Sequence, residues 1–410
     1  MSKLRGPVGV PERSQDPGYS AMAEQIYLDW NATAPLRPQA RAAMHAAGDI
    51  VGNPSSVHAQ GRAARRLIEN ARTQVAALVG AQPRCVIFTS GGTEANALAL
   101  TPTIEASGEK APRDRLLVSA IEHTSVRLGA RFAPDAIEEL PVDSQGLLVL
   151  AQLELRLGVL AATGRRPLVS IMLANNETGI IQPIAEAATI IHAASGILHV
   201  DAVQAPGRIA CDFNALGADL LTLSGHKLGG PKGVGALIKR ADLQIEPLIK
   251  GGGQERSQRA GTENVAGIAG FGAAAEAAHS ALPAESAHVT ALRGLLEAGI
   301  LRISSEAVIF GSDVDRLPNT TLFAVPGLKA ETAVIAFDLE GVAVSSGAAC
   351  SSGKVAPSHV LAAMGVAPEL ARGAIRISLG YGTKEHEIEA FLGAWAKLAG
   401  ALYKDRGIAA

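Results

Sequence analysis

The sequence predicts an α/β fold: a large domain with a mostly parallel central sheet flanked by helices, then a smaller α+β C-terminal domain. Three observations carry this. From Ile26 onward, short apolar runs alternate with helical patterns, which is the spacing of βαβ units. Several of these runs end in glycine, amide, acidic or hydroxyl residues, as strands do at the ligand-binding edge of an open sheet. An alanine-rich stretch around residues 266–282 then separates this alternation from a mixed block of helices and strands. The chain has 410 residues, 48% of them hydrophobic, which is enough for two cores.

Residues 1–24 are rich in Pro, Gly and Ser and lack apolar periodicity, so they are expected to form a disordered extension. They contain no apolar stretch of the kind a secretory signal needs, and Glu12 and Asp16 fit a transit peptide poorly. Candidate strands follow at Cys85–Thr89, Leu116–Ser119, Leu168–Ala174, Leu198–Asp201, Leu220–Leu223 and Gly235–Lys239. Helical patterns at Ala63–Val79, Glu94–Leu100 and Ile184–Ala194 lie between them. Ala266–Leu282 reads as a long helix that stops near Pro283, because proline lacks the N–H and crowds the preceding turn. Beyond it, Glu285–Ile303, Thr320–Val325, Glu331–Leu339, Ala374–Ser378 and Glu385–Lys397 make up the smaller unit. The expected division is 1–24 extension, 36–283 large domain, and 25–35 with 284–410 small domain.

Composition excludes several classes of function. A net charge of −2 gives no basic field for nucleic acid, and 3% aromatic content gives no stacking platform. No apolar run reaches membrane-spanning length. Cys85, Cys211 and Cys350 lie far apart without a C-x-x-C pair. Neither a disulfide framework nor a metal site is expected, and a reducing, cytoplasmic compartment is.

Lys227 is the most informative residue. It follows the apolar run Leu220–Leu223 on a glycine turn, where an ammonium must be paired, shifted in pKa or used covalently. A Schiff-base lysine is one solution and a side chain snorkelling out of the loop is another. Asp201, at the end of its own run, needs a cation or several donors, unless it caps the next helix. Gly92 and Thr93 open a helix as a phosphate cradle would, and as a plain βα turn would. His123 follows another strand end and could lie flat on a ring. Asn175 and Asn176 offer amides to a ligand or to a turn. Together these meet the needs of pyridoxal 5'-phosphate (PLP): a lysine, an acid for the pyridine nitrogen, donors for the phosphate and a flat cover for the ring.

The stretches Tyr27–Pro35 (YLDWNATAP), Gly52–Ser56 (GNPSS), Asn175–Gly179 (NNETG), His199–Gln204 (HVDAVQ), Ser224–Lys227 (SGHK), Gly251–Arg256 (GGGQER) and Arg259–Thr262 (RAGT) resemble the NifS/IscS-type cysteine desulfurases. These are class-V aminotransferase-like, fold-type I PLP enzymes. The resemblance implies that Lys227 binds PLP, that Asp201 meets the pyridine nitrogen, and that Asn176 and Gln204 surround the ring's 3-oxygen. It implies that His123 stacks on the ring with an acid–base role, and that Gly92, Thr93, Ser224 and His226 hold the phosphate. By the same resemblance, Thr262 reaches the phosphate of a neighbouring subunit in a homodimer, and Arg376 grips the substrate carboxylate, a task suited to a planar guanidinium.

Fold and cofactor alone do not name a reaction. Ser345–His359 (SSGAACSSGKVAPSH) narrows it. Cys350 lies in a run of small residues, poor core material and good loop material, whereas Cys85 and Cys211 read as small buried hydrophobes. The resemblance implies that Cys350 removes sulfur from L-cysteine as a persulfide, leaving alanine, and that a mobile loop passes it to an iron–sulfur scaffold or another acceptor. Trp30, Gly92 and Ala348 depart from the family's usual residues without removing a required group. A selenocysteine lyase or a cystine/cysteine-sulfinate lyase on the same scaffold, and a non-catalytic sulfur-relay or assembly-scaffold subunit, are the competing readings. The joint presence of Lys227, Cys350 and Arg376 argues against the latter.

Overall fold

The structure, a computed structural model, describes residues 25–106, 112–347 and 358–405. The expected N-terminal extension and Cys350 lie outside the described residues.

Seven strands form the central sheet: β1 (Val86–Thr89), β2 (Arg115–Ser119), β3 (Ile137–Leu140), β4 (Pro167–Met172), β5 (Ile197–Asp201), β6 (Leu220–Ser224) and β7 (Gly235–Lys239). Their order is β1-β7-β6-β5-β4-β2-β3. Only β7 runs against its neighbours, so β1 and β6 on either side of it point the same way as the parallel set β2 to β6. The middle strands are buried along their whole length, as expected for a sheet covered on both faces. Within β4, Val169 and Ile171 join one core cluster while Leu168 joins the cluster on the opposite face, which is the two-residue period of a strand.

Helices α1 (Pro38–Gly48), α2 (Ala59–Leu78), α3 (Gly92–Ala99), α4 (Leu150–Ala162) and α5 (Ile184–Ala193) accompany this sheet. Helix α6 (Val265–Ile303) contains Pro283 and continues through it. The expected stop at that residue therefore does not occur. Ile268, Phe271, Ala274 and Ala278 pack into the large core, and Val289, Leu292, Leu296 and Ile300 into a second core. Burial on both sides outweighs the single hydrogen bond that the proline cannot make.

The second core surrounds an antiparallel sheet of β8 (Val308–Ile309), β9 (Thr320–Ala324), β10 (Ser345–Ser346) and β11 (Ile375–Ser378), ordered β10-β11-β9-β8. Helices α7 (Ala330–Leu339) and α8 (Glu385–Asp405) cover it with Phe337, Phe391 and Trp395. The chain's first described segment belongs here: Ile26–Tyr27 pairs in parallel with Val342–Ala343, and Leu28 enters the same core. No described helix is long and apolar enough to cross a membrane.

Candidate active site

Because β1, β2, β4, β5 and β6 point the same way, their carboxyl ends share one edge of the sheet. A cavity of about 310 Å³ opens there, a size suited to a small ligand. It brings together Gly92, Thr93, His123, Asn176, Asp201, Gln204, Ser224, His226, Lys227 and Arg376.

Lys227 ends a tight turn, Gly225–Lys227, directly after β6. Its Nζ donates to the carbonyl oxygens of Asn31 (2.6 Å) and Ala32 (2.8 Å). Those carbonyls belong to a segment folded across the cavity. Tyr27 holds that segment by donating to Asp29 O (3.0 Å) and Thr33 O (2.9 Å). Burial and the Asp29 charge push the Tyr27 phenol up to about 12, so it stays a donor.

Asp201 is buried at the end of β5. One oxygen accepts from Val203 N (3.0 Å) and the other from Asn96 Nδ2 (2.8 Å). It makes no ion pair among the described residues, so a buried carboxylate lines the cavity with two neutral donors. Gln204 donates through Nε2 to Asn31 O (3.1 Å), while its Oε1 accepts from Arg208. Arg208 is itself buried and spends its other donors on the carbonyls of Gln204, Trp30 and Lys227. Burial, aided by Arg376, pushes its guanidinium down to about 9. Its grip on Oε1 fixes which end of the Gln204 amide donates.

At the other end of the cavity α3 begins at Gly92, so its first N–H groups face the space beside Ser224 and His226. A Cβ on Gly235 of β7 would lie 2.6 Å from the Gly91 carbonyl carbon; only glycine lets strand and turn approach so closely. His226 Nδ1 meets Thr33 Oγ1 at 3.1 Å. Burial, with Lys227, Lys232 and Arg208 nearby, pushes the imidazole down to about 4 and keeps it neutral.

Arg376 enters from β11. It donates to Asp29 Oδ1 (2.7 Å) and to Asn176 O (3.0 Å), and its buried Nε has no hydrogen-bond partner. Asn175 and Asn176 divide their work. The Asn175 side chain accepts from Glu177 N and Thr178 N and so builds the turn, whereas Asn176 lines the cavity. Glu177 is buried beside Arg376 and accepts from Ser358 Oγ at 2.5 Å. Burial pushes its carboxyl up to about 7. Glu122 is completely buried, and burial together with the Asp201 charge holds its carboxyl well above the usual range.

Thr262 lies apart, beside a different cavity with Glu255 and Arg259. Cys85 and Cys211 are buried free thiols, and burial pushes Cys211 up to about 12, which makes it inert. Four residues on the cavity wall or beside it carry no sequence signal of their own: Asp29, Asn31, Asn96 and Ser125. Asn96 could have been found from Gly92, since four residues on a helix share a face.

The family model for class-V aminotransferases matches residues 26–391. A cysteine desulfurase of Cereibacter sphaeroides is 42% identical over 375 residues, 90% of this chain and 94% of its own. The chain belongs to the cysteine desulfurases of the class-V aminotransferase family. Its fold is similar to a NifS-like protein from Rickettsia africae, with a TM-score of 0.82 at 39% identity, covering 92% of this chain and 99% of that one. It is also similar to SspA, solved in complex with cysteine, with a TM-score of 0.70 at 29% identity, covering 87% and 99%.

Proposed function

We propose that this chain is a PLP-dependent cysteine desulfurase in which Lys227 anchors the cofactor and Cys350 receives the sulfur of L-cysteine. The observation that carries the reading is the convergence of Lys227, Asp201 and Arg376 on one cavity in a chain of this family. The residues fit the cofactor. The buried Asp201 carboxylate lacks a cation and a pyridinium nitrogen is one. The N-terminus of α3, with Thr93, Ser224 and neutral His226, offers donors to a phosphate, and Gln204 and Asn176 offer amides to the ring oxygen. PLP, when bound, supplies an electron sink that makes bonds to the substrate's α-carbon, and then its C–S bond, labile.

The chain supplies the rest. Arg376 binds the substrate carboxylate with a pair of parallel N–H groups, and Asp29 and Asn176 O keep the guanidinium oriented for it. Lys227 Nζ and His123 Nε2 would hold and move the protons of the reaction. Cys350, as thiolate, takes the substrate sulfur. The overall change balances as L-cysteine plus enzyme thiol giving L-alanine plus enzyme persulfide. The persulfide then passes to an iron–sulfur scaffold or another acceptor protein. The working unit is a homodimer in the cytoplasm, with Thr262 of one subunit reaching the phosphate held by the other.

The test is incubation of the purified yellow protein with L-cysteine and dithiothreitol, which is expected to give alanine and sulfide in equal amounts. Cys350→Ala is expected to lose both products and keep the colour. Retained turnover in that variant would overturn the role of Cys350, and a colourless protein that takes up no PLP would overturn the cofactor.

A further inference from the structure

We infer that Ser125 and Asn96 are positioning residues that hold His123 in one neutral tautomer, proton on Nε2, and tie that tautomer to the charge on Asp201. The inference rests on the desulfurase reading only for its effect on turnover.

Four groups form a continuous chain. Asp201 Oδ2 accepts from Asn96 Nδ2 at 2.8 Å, and the same Nδ2 lies 2.9 Å from Ser125 Oγ. Ser125 Oγ lies 2.8 Å from His123 Nδ1, which also receives the Ser125 backbone N–H at 3.2 Å. The Asp201 end of this chain cannot reverse while its carboxylate is charged. A carboxylate only accepts, so the Asn96 amide must turn its NH₂ toward Asp201. At the other end the Ser125 backbone N–H, which only donates, reaches His123 Nδ1 at the longer 3.2 Å and favours an accepting nitrogen without fixing it. The directions between them follow. One Asn96 hydrogen goes to Asp201 and the other to Ser125 Oγ. Ser125 Oγ, already accepting, gives its own hydrogen to His123 Nδ1. The ring's hydrogen is then on Nε2.

The link to Asp201 comes from what does not hold Asn96. Its Oδ1 is buried and has no hydrogen-bond partner, so beyond Ser125 only Asp201 holds the amide. If Asp201 loses its charge, the amide can turn over and Ser125 is free to point its hydrogen elsewhere. A plain helix cap does not account for this. His123 already caps Thr124–Arg127 through the Ser125 backbone N–H, and that contact needs neither hydroxyl nor Asn96.

Ser125→Ala removes the hydroxyl and spares the backbone cap, while Ser125→Thr restores a hydroxyl. In the holoenzyme, Ser125→Ala is expected to lower kcat on the order of tenfold with KM for L-cysteine unchanged, as loss of a group that only orients another commonly does. Ser125→Thr is expected to return kcat to within about twofold. Nitrogen-15 histidine spectra of the full chain, with His123 assigned by its Gln variant, read the tautomer independently of turnover. A single protonated-Nε2 form is expected in the wild type and a tautomer mixture in Ser125→Ala. An unchanged kcat in Ser125→Ala, equal damage in Ser125→Thr, or a wild-type ring protonated on Nδ1 overturns the inference. A wild type that shows the expected tautomer yet releases no sulfide overturns the desulfurase reading instead.

Discussion

The two walls of the cavity are built differently. One wall is the carboxyl edge of the central sheet, where Asn176, Asp201, Gln204 and Lys227 each sit within a few residues of a strand end. Its shape comes from backbone hydrogen bonding in a fully buried sheet. The other wall joins Asp29–Thr33 to Arg376 of β11, positions 347 residues apart at the Arg376–Asp29 ion pair. Its shape comes from side chains that reach across the molecule. The first wall can thus lose a functional group and stay in place, whereas the second moves when a partner is lost.

Substitutions on the two walls should therefore fail differently. The largest effect is expected for Lys227→Ala, with no turnover above background and no visible band from bound PLP; a normal spectrum would sink the role given to this lysine. Asp201→Asn keeps the shape but removes the charge, and kcat is expected to fall about 10- to 100-fold, the loss of one charged hydrogen bond. Steady-state rates at saturating cysteine check this. On the second wall, Arg376→Lys loses the planar pair of donors and leaves Asp29 less well held. KM for L-cysteine is expected to rise about tenfold with the cofactor spectrum intact. A drop in kcat alone would place Arg376 in the first group.

The smallest effect is expected where the walls meet. Burial raises the Glu177 carboxyl to about 7, so the folded protein binds this proton more tightly than the unfolded chain does. The resulting stability is complete below the unfolded value of 4.5 and is lost as pH rises through about 7. Each unit of such a shift is worth about 1.4 kcal/mol. Glu177→Gln should therefore gain on the wild type in urea unfolding at pH 8 relative to pH 5. An equal difference at both pH values would show that Glu177 does not titrate in this range.

The same contrast decides what was legible in the sequence. The first wall could be read because a strand end announces itself locally, as Leu220–Leu223 followed by a glycine turn does for Lys227. Asn31 and Asp29 escaped although they lie in the stretch Tyr27–Pro35 that carries the resemblance, since nothing local says that an N-terminal segment crosses a distant sheet. Asn96 and Ser125 escaped because their role depends on the direction of a side chain one turn away. Strand β3 escaped because Glu138 and Glu139 interrupt its apolar pattern at the sheet edge. Pro283 misled because local preference gave way to two cores that both bury α6.

That helix sets the mechanics of the molecule. At 1.5 Å per residue its 39 residues make a rod about 58 Å long, with one end clamped in each core. A shared rod of this kind couples the two cores more tightly than a flexible tether would. The rod carries one notch, since Pro283 has no N–H to return to the carbonyl of His279. The one missing rung of the helical ladder thus falls in the stretch between the two cores, where it loosens the rod without breaking it.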